Sequence, residues 1–391
     1  MKTANWWRYG MTKDSVALLE IGSQKITCII GQRGVNGTFL IKSLAECEYE
    51  GFCDGNFFDQ QSLSRAISEV LKNTSKAART SIGKLFVSVP GEFSYVKVKE
   101  SSLAFTRKKR IRSRDIQDLF DQMGSDDGNG YVLTDAHAIH YRLDDNRRVY
   151  DAEGLKSFKI SALISYVYTS KVYVKKLKNI CNLLGVSKVE FISESLAESK
   201  YLVPKEERDL KRIIVDVGYL TTNVLVTYGS GLLYQKAFSY GGGYITADLI
   251  KTVEVDRPID MGLKFEMAER LKRKINLGYD IKTEGYYQLT INDEDFLLPL
   301  QKSNVTVRFC LDQLAGYIDG VMKECPLDLT INAPIAITGG GIAYMRGAKE
   351  YISSRLEMPV QIIAPQIPFM NKPDESASLS LLNEALERNG K

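Results

Sequence analysis

Three glycine-bearing segments set the strongest constraint on how this chain can fold. They are LLEIGSQKIT (Leu18 to Thr27), IIVDVGYLTTNVLV (Ile213 to Val226) and IAITGGGIAYMRGAKEYI (Ile335 to Ile352). The first two follow one plan: an apolar run, an acid, one residue, a glycine, a polar turn and further β-prone residues. That plan makes a β-hairpin whose tight turn can offer backbone N–H groups to a phosphate. The third reads as a buried strand, a triple-glycine turn and a helix, where backbone can approach a flat base or a ribose. Glycine turns alone are common in hairpins. Two acid-x-Gly hairpins about 195 residues apart, followed by strand–GGG–helix, form an ordered set that points to one cleft between two halves.

The segments between these signals repeat a theme. Val16 to Ile30 and Phe39 to Glu50 alternate as strands around the turn Gly34 to Gly37, and Leu63, Ile67, Val70 and Leu71 keep helical spacing within Asp59 to Ser75. Lys84 to Val89 reads as a strand closed by Pro90-Gly91. From Glu92 to about Tyr168 the texture changes. A strand (Ser94 to Lys99), the basic run RKKRIRSR (Arg107 to Arg114) read as a solvated loop, a helix (Asp115 to Met123), a tip SDDGNG and two more strands suggest a small α+β insertion. A helix from Lys171 ends at Gly185, and a strand (Ser187 to Ile192) and a short helix (Ser195 to Leu202) follow. The second half opens like the first, with a hairpin, a third strand (Leu232 to Ser239), Gly241-Gly242-Gly243 and a helix from Tyr244 to Lys251. The expected fold class is α/β: two lobes from duplicated βββαβα units, with an α+β insertion in the first.

Composition excludes some classes. With 391 residues, two or more subdomains are expected. The balance of 52 basic against 48 acidic side chains, net +4, is too mild to argue for nucleic acid. Six cysteines show no C-x-x-C pair and read as reduced, largely buried thiols of a cytoplasmic protein. Cys47 and Cys53 are close in sequence, and His137 and His140 lie near Asp135, yet neither group has the further ligands a metal site needs, and the histidines read as surface or satisfied core. No apolar run reaches the ~20 residues of a membrane span. The leader MKTANWWRYGMTKD is too short and polar for a signal peptide.

The order of these segments resembles the actin/heat-shock-chaperone/sugar-kinase ATPase superfamily and, within it, the bacterial FtsA cell-division proteins. The resemblance rests also on GKLFVSVPGEF, SESLAESKYL (Ser193 to Leu202), YGGGYITADL (Tyr240 to Leu249) and AERLKRKINLGYD (Ala268 to Asp280), and spans about Val16 to Leu386. It implies a first lobe core over 14–91, continued by 169–203 and about 366–391, with an FtsA-type insertion over 92–168. The second lobe core would be 204–250 with about 305–365, and 251–304 its outer subdomain. It implies ATP and Mg²⁺ as ligands. Gly22, Ser23, Gln24 and Lys25 would form the first phosphate loop, and Gly218, Tyr219, Leu220, Thr221 and Thr222 the second. Glu20 and Asp216 would be the acids at the metal's water shell, with Asp216 holding Mg²⁺ through water, and Glu194 would position the attacking water. Gly339, Gly340, Gly341 and Ile342 would line the adenosine, while Glu269 and Lys272 would come from the other lobe to meet ribose and base.

The sequence departs from that family's pattern where chemistry is done. Glu20 replaces the usual Asp. The second loop, normally D-x-G-G-x-T-T-D, reads Asp216-Val217-Gly218-Tyr219-Leu220-Thr221-Thr222-Asn223, so Tyr219 stands for a glycine and Asn223 for a carboxylate. Nucleotide binding with slow turnover or none is therefore the expectation. The resemblance further implies head-to-tail self-association and contact with FtsZ through about Lys251 to Asn304, in the cytoplasm and at the division site. The family's amphipathic C-terminal helix is not recognised here, so membrane contact is expected through partners or the basic run. Two alternatives share the fold: a PilM-type adaptor of a pilus or secretion machine, and a small-molecule kinase, for which no acceptor-side base is evident.

Overall fold

The computed structural model describes residues 14–53 (Cys53 without its side chain), 55–123, 128–253, 263–291, 293–329 and 333–390. The chain begins with β1 (Ser15–Ile21), β2 (Lys25–Arg33) and β3 (Phe39–Glu48), an antiparallel meander, then the short pair β4 (Phe52–Cys53) and β5 (Asn56–Phe57). Helix α1 (Gln60–Ala78) starts where the Asp59 carboxylate accepts the N–H groups of Gln61 and Ser62, both at 2.9 Å, and it buries Leu63, Ile67, Val70 and Leu71. Strand β6 (Lys84–Val89) follows, then β7 (Ser94–Arg110), α2 (Ser113–Phe120), β8 (Tyr131–Leu143), β9 (Arg148–Val149) and β10 (Lys156–Ser170). Helix α3 (Lys171–Leu183), β11 (Lys188–Ser193) and α4 (Glu194–Tyr201) lead to β12 (Arg212–Val217), β13 (Thr222–Tyr228), β14 (Gly231–Phe238) and α5 (Gly242–Thr252). The rest comprises α6 (Phe265–Lys274), β15 (Tyr286–Ile291), β16 (Glu294–Pro299), α7 (Leu300–Glu324), β17 (Ile335–Thr338), α8 (Ala348–Leu356), β18 (Val360–Ile362) and α9 (Ser376–Asn389).

Two five-stranded sheets share one topology. The first is ordered β11-β6-β1-β2-β3 and the second β18-β17-β12-β13-β14. In each, the opening hairpin and its third strand are antiparallel, and two parallel strands continue beyond the first strand. The register also repeats: Glu20 faces Thr27 across the first hairpin as Asp216 faces Asn223 across the second. This is the duplicated, two-lobed α/β plan read from the sequence. The first sheet is covered by α1 and α3 on one face, where Leu19, Ile26, Leu63 and Leu177 share a core, and by α9 on the other, against Leu18 and Ile29.

Residues 94–170 form a separate four-stranded sheet, β7-β10-β8-β9, with α2 packed on it. Three expectations need correction here. Arg107 to Arg110 is no loop: it is the end of β7, paired with β10 through Arg110 and Lys156. A 17-residue strand outcompetes the charge pattern because exposed edge positions tolerate charge. Helix α2 runs from Ser113, capped by the reciprocal pairing of Arg112 and Asp115, and stops at Phe120; part of the SDDGNG tip lies outside the described residues. His140 is buried with its Nδ1 lacking a partner, so it is neither surface nor satisfied.

Candidate functional site

The two acid-x-Gly turns are built alike. The Gly22 N–H donates to Lys25 O at 3.0 Å, and the Gly218 N–H to Thr221 O at 2.9 Å. A Cβ on either glycine would meet that same carbonyl, at 2.9 Å and 3.0 Å, so each turn closes too tightly for a side chain. The turns face each other: the Leu220 N–H donates to Ser23 Oγ at 3.0 Å. Tyr49 braces the first turn, with its hydroxyl donating to Gly22 O at 2.8 Å and its N–H to Gln24 O at 2.9 Å. Lys25 points outward and pairs with Glu46 at 2.5 Å.

The glycine triplets pack backbone to backbone on the second turn. The Gly341 N–H donates to Val217 O at 2.8 Å, Gly242 N–H to Gly218 O at 2.9 Å and Gly243 N–H to Tyr219 O at 2.7 Å. Gly339 has φ +85° and would place a Cβ 2.2 Å from Asp216 Oδ1. Gly340 is exposed, and Ile342 is buried in the second lobe's core. The helix expected directly after the glycines starts only at α8, with Gly347 at its cap, so no helix N-terminus is offered at the triplet. Gly241 to Gly243, read only as a helix entry, are thus part of the same cluster.

Glu269 and Lys272 do not come from the other lobe. Helix α6 shares one core with β17, through Met267, Leu271, Ile337 and Ile342, because the apolar side of α6 is spent within the second lobe. The two side chains pair at 2.8 Å, and Lys272 Nζ also donates to Gly242 O at 3.0 Å and Thr246 Oγ1 at 2.9 Å. Tyr219 lies over this group: its ring occupies the place of a Cβ on Gly243 (2.8 Å to Cζ), with the Lys272 ammonium 5.8 Å from its centroid and Phe265 edge-on at 6.4 Å. Thr222 is buried and donates its hydroxyl to Tyr240 O at 2.6 Å, inside its own lobe.

Beside the turns lies a group of buried acids. Glu20 accepts the Ser378 hydroxyl, which ties it toward α9. Burial raises its carboxyl, against the Ser378 hydrogen bond and the charge of Lys25. Asp216 is pushed up to about 7 by burial and then by Glu20. Glu194 is driven well above its ordinary range by burial and by Asp216, Glu20 and Glu92. Two members escaped the sequence reading. Glu198 is raised by burial, Asp216, Glu194 and Glu20, and Glu92 goes to about 7 through burial and Asp216. Glu198 had a signal, since it stands four residues after Glu194 on one face of α4; Glu92 and Ser378 had none.

Glu198 Oε1, Glu92 Oε2 and Asn223 Oδ1 are buried without a hydrogen-bond partner. An all-oxygen, acidic donor set of this kind suits a hard cation. Among the described residues no three metal-type side chains are close enough to hold an ion directly.

The chain's relatives agree with this architecture. The family model described as MreB/Mbl protein matches residues 155–368. Cell division protein FtsA of Helicobacter pylori strain 26695 is 26% identical over 248 residues, covering 61% of this chain and 48% of that protein. FtsA of Neisseria meningitidis serogroup B is 20% identical over 397 residues, covering 96% of this chain and 91% of that one. The chain thus spans about half of the first relative and most of the second. Among solved structures, a PilM–PilN type IV pilus biogenesis complex superposes with a TM-score of 0.62 at 14% identity, covering 96% of this chain and 99% of that one. MreB5 of Spiroplasma citri bound to ADP gives 0.57 at 10% identity, covering 96% and 97%. With its model matched over more than half of the sequence, the chain belongs to the MreB/Mbl family, as an FtsA-like member of the actin-fold ATPase superfamily.

Proposed function

We propose that this chain is an FtsA-like cytoskeletal protein that binds ATP·Mg²⁺ between its lobes, turns it over slowly or not at all, and self-associates at the bacterial division machinery. The observation that supports the reading best is the meeting of two equivalent glycine turns, one per lobe, through Leu220 N–H and Ser23 Oγ, beside buried acids. In this reading the turns of Gly22 to Lys25 and Gly218 to Thr222 face the phosphates, and Gly339 to Ile342 face the adenosine. Asp216 and Glu20 hold Mg²⁺ through water, where the ion would neutralise phosphate charge, and Glu194 orients a water. The chain then divides as 14–91 with 169–203 and about 366–391, the insertion 92–168, 204–250 with about 305–365, and 251–304. FtsZ is the expected partner of the last region, of which 254–262 and 292 lie outside the described residues.

Weak turnover follows from the side chains present. Tyr219 fills the space beside Gly243, and Asn223 offers a neutral amide where a second carboxylate would act. Titration calorimetry with ATP and a non-hydrolysable analogue, together with a phosphate-release assay, tests this: binding without release is expected. A chain that binds neither nucleotide and ignores an FtsZ tail peptide overturns the reading. The PilM-like superposition, which takes in nearly all of that chain, supports a second reading as an adaptor of a membrane machine. Recovery of a pilus or secretion component in place of FtsZ would favour it.

A further inference from the structure

From Gly154 to Val189 the sequence holds seven lysines and no Asp, Glu or Arg, in a chain whose net charge is only +4. Five of them, Lys171, Lys175, Lys176, Lys178 and Lys188, fall on α3 and the start of β11. Helix α3 turns Tyr173, Leu177, Ile180 and Cys181 into the first lobe's core. Its outer side carries Lys175, Lys178, Asn179 and Asn182, with Val172 70% and Leu183 87% exposed. Lys176 Nζ reaches Phe57 O at 3.5 Å and lies 5.4 Å from that ring, which seats Phe58, 71% exposed, beside the same helix. A hollow of about 360 Å³ opens at the other end, between Lys178, Asn182 and Ser187 to Glu190. Its one carboxylate, Glu190, is paired with Lys84 at 2.9 Å. Among the described residues no carboxylate lies within ion-pair distance of Lys175, Lys176, Lys178 or Lys188.

The geometry points to a surface that rests on an anionic lipid bilayer, with the α3 lysines at the headgroups and Phe58, Val172 and Leu183 entering the interface. Two properties single out lipid. The cations on this face of α3 and β11 are all lysine, compact charges that suit headgroup phosphates, whereas carboxylate partners are met best by the planar fork of arginine. Long exposed apolar side chains stand among the charges, as on interfacial helices, and a nucleic-acid backbone gives no return for them. The basic run Arg107 to Arg114, the other candidate, is partly committed internally: Lys109 pairs with Asp115 at 2.6 Å, and Lys108 sits 5.9 Å over the Phe158 ring.

Sedimentation of the full chain with phosphatidylcholine vesicles, with and without phosphatidylglycerol, tests the surface. Binding is expected only with the anionic lipid, and weaker as salt rises. Each lysine at such a surface contributes about fivefold to partition, so K175Q/K178Q/K188Q should lose on the order of 100-fold. V172Q/L183Q, which keeps every charge, should also bind less, with circular dichroism confirming the fold of each variant. The inference is overturned if phosphatidylglycerol makes no difference or the triple variant binds as the parent does. It is overturned equally if binding is lost with R107Q/K108Q/R110Q or with removal of residues 1–13 instead. Preferential binding of polyglutamate over vesicles would assign the face to an acidic protein and overturn it too.

Discussion

The backbone N–H of Leu220 donates to Ser23 Oγ at 3.0 Å, joining residues 197 positions apart and fastening the turn of one lobe to the turn of the other. That hydroxyl joins the two turns directly. Ser23→Ala should cost about 1 kcal/mol of stability by leaving that N–H unpaired. The midpoint of denaturant unfolding, at unchanged slope, is the measurement.

Tyr219 packs over Gly243 with the Lys272 ammonium 5.8 Å from its ring centroid, and under the proposed function it crowds the nucleotide's place. Tyr219→Gly restores the glycine that the family pattern has there and vacates that space. ATP affinity measured by calorimetry should tighten about tenfold, while stability falls by about 1–2 kcal/mol with the half-buried ring. Unchanged affinity would show that the ring does not obstruct the site.

Gly242 is constrained by the backbone of Gly341. A Cβ there would stand 2.7 Å from Gly341 Cα and 2.8 Å from Gly341 O, atoms that cannot turn away. Gly242→Ala should destabilise the chain by about 1–3 kcal/mol through overpacking. A thermal melt of the variant checks this.

The buried acids set a pH dependence of unusual sign. Asp216 and Glu92 titrate near 7 in the folded chain but in the ordinary carboxylate range when unfolded. Between about pH 4 and pH 7 the folded state therefore holds more protons, and stability falls as pH rises through that window. Melting temperature should decline from about pH 5 to pH 8, and D216N should flatten the slope. A rising melting temperature over that range would refute the assignment.

Arg388 works in the opposite sense. Its guanidinium meets Asp135 on β8 at 2.5 Å and Glu384 at 2.9 Å, tying α9 to the inserted sheet, while Lys200 also pairs with Glu384. Burial alone would raise Glu384, but Lys200 and Arg388 outweigh it and bring the carboxyl to about 2. That stabilisation is present above the unfolded carboxylate range and lost as pH falls toward 2. Arg388→Met strands Asp135 in the interior and should cost about 3 kcal/mol, read by chemical unfolding.

Local signals in the sequence determined most elements, because strand alternation, helical spacing and glycine turns act over a few residues. Leu63, Ile67, Val70 and Leu71 defined α1, Lys84 to Val89 is β6 to the residue, and both acid-x-Gly turns stand where the pattern put them. The duplicated topology followed from those elements. Tertiary structure decided everything that depends on distant partners. It extended β7 through Arg110, since pairing with β10 outweighs the local charge run. It placed α6 with β17 in one core, turned Lys272 inward and laid Tyr219 over Gly243. Burial and mutual repulsion among Glu20, Glu92, Glu194, Glu198 and Asp216 arise only once chain segments up to about 195 residues apart share an interior. A carboxyl's neighbours in space, unlike its neighbours in sequence, cannot be read from a repeat or a period.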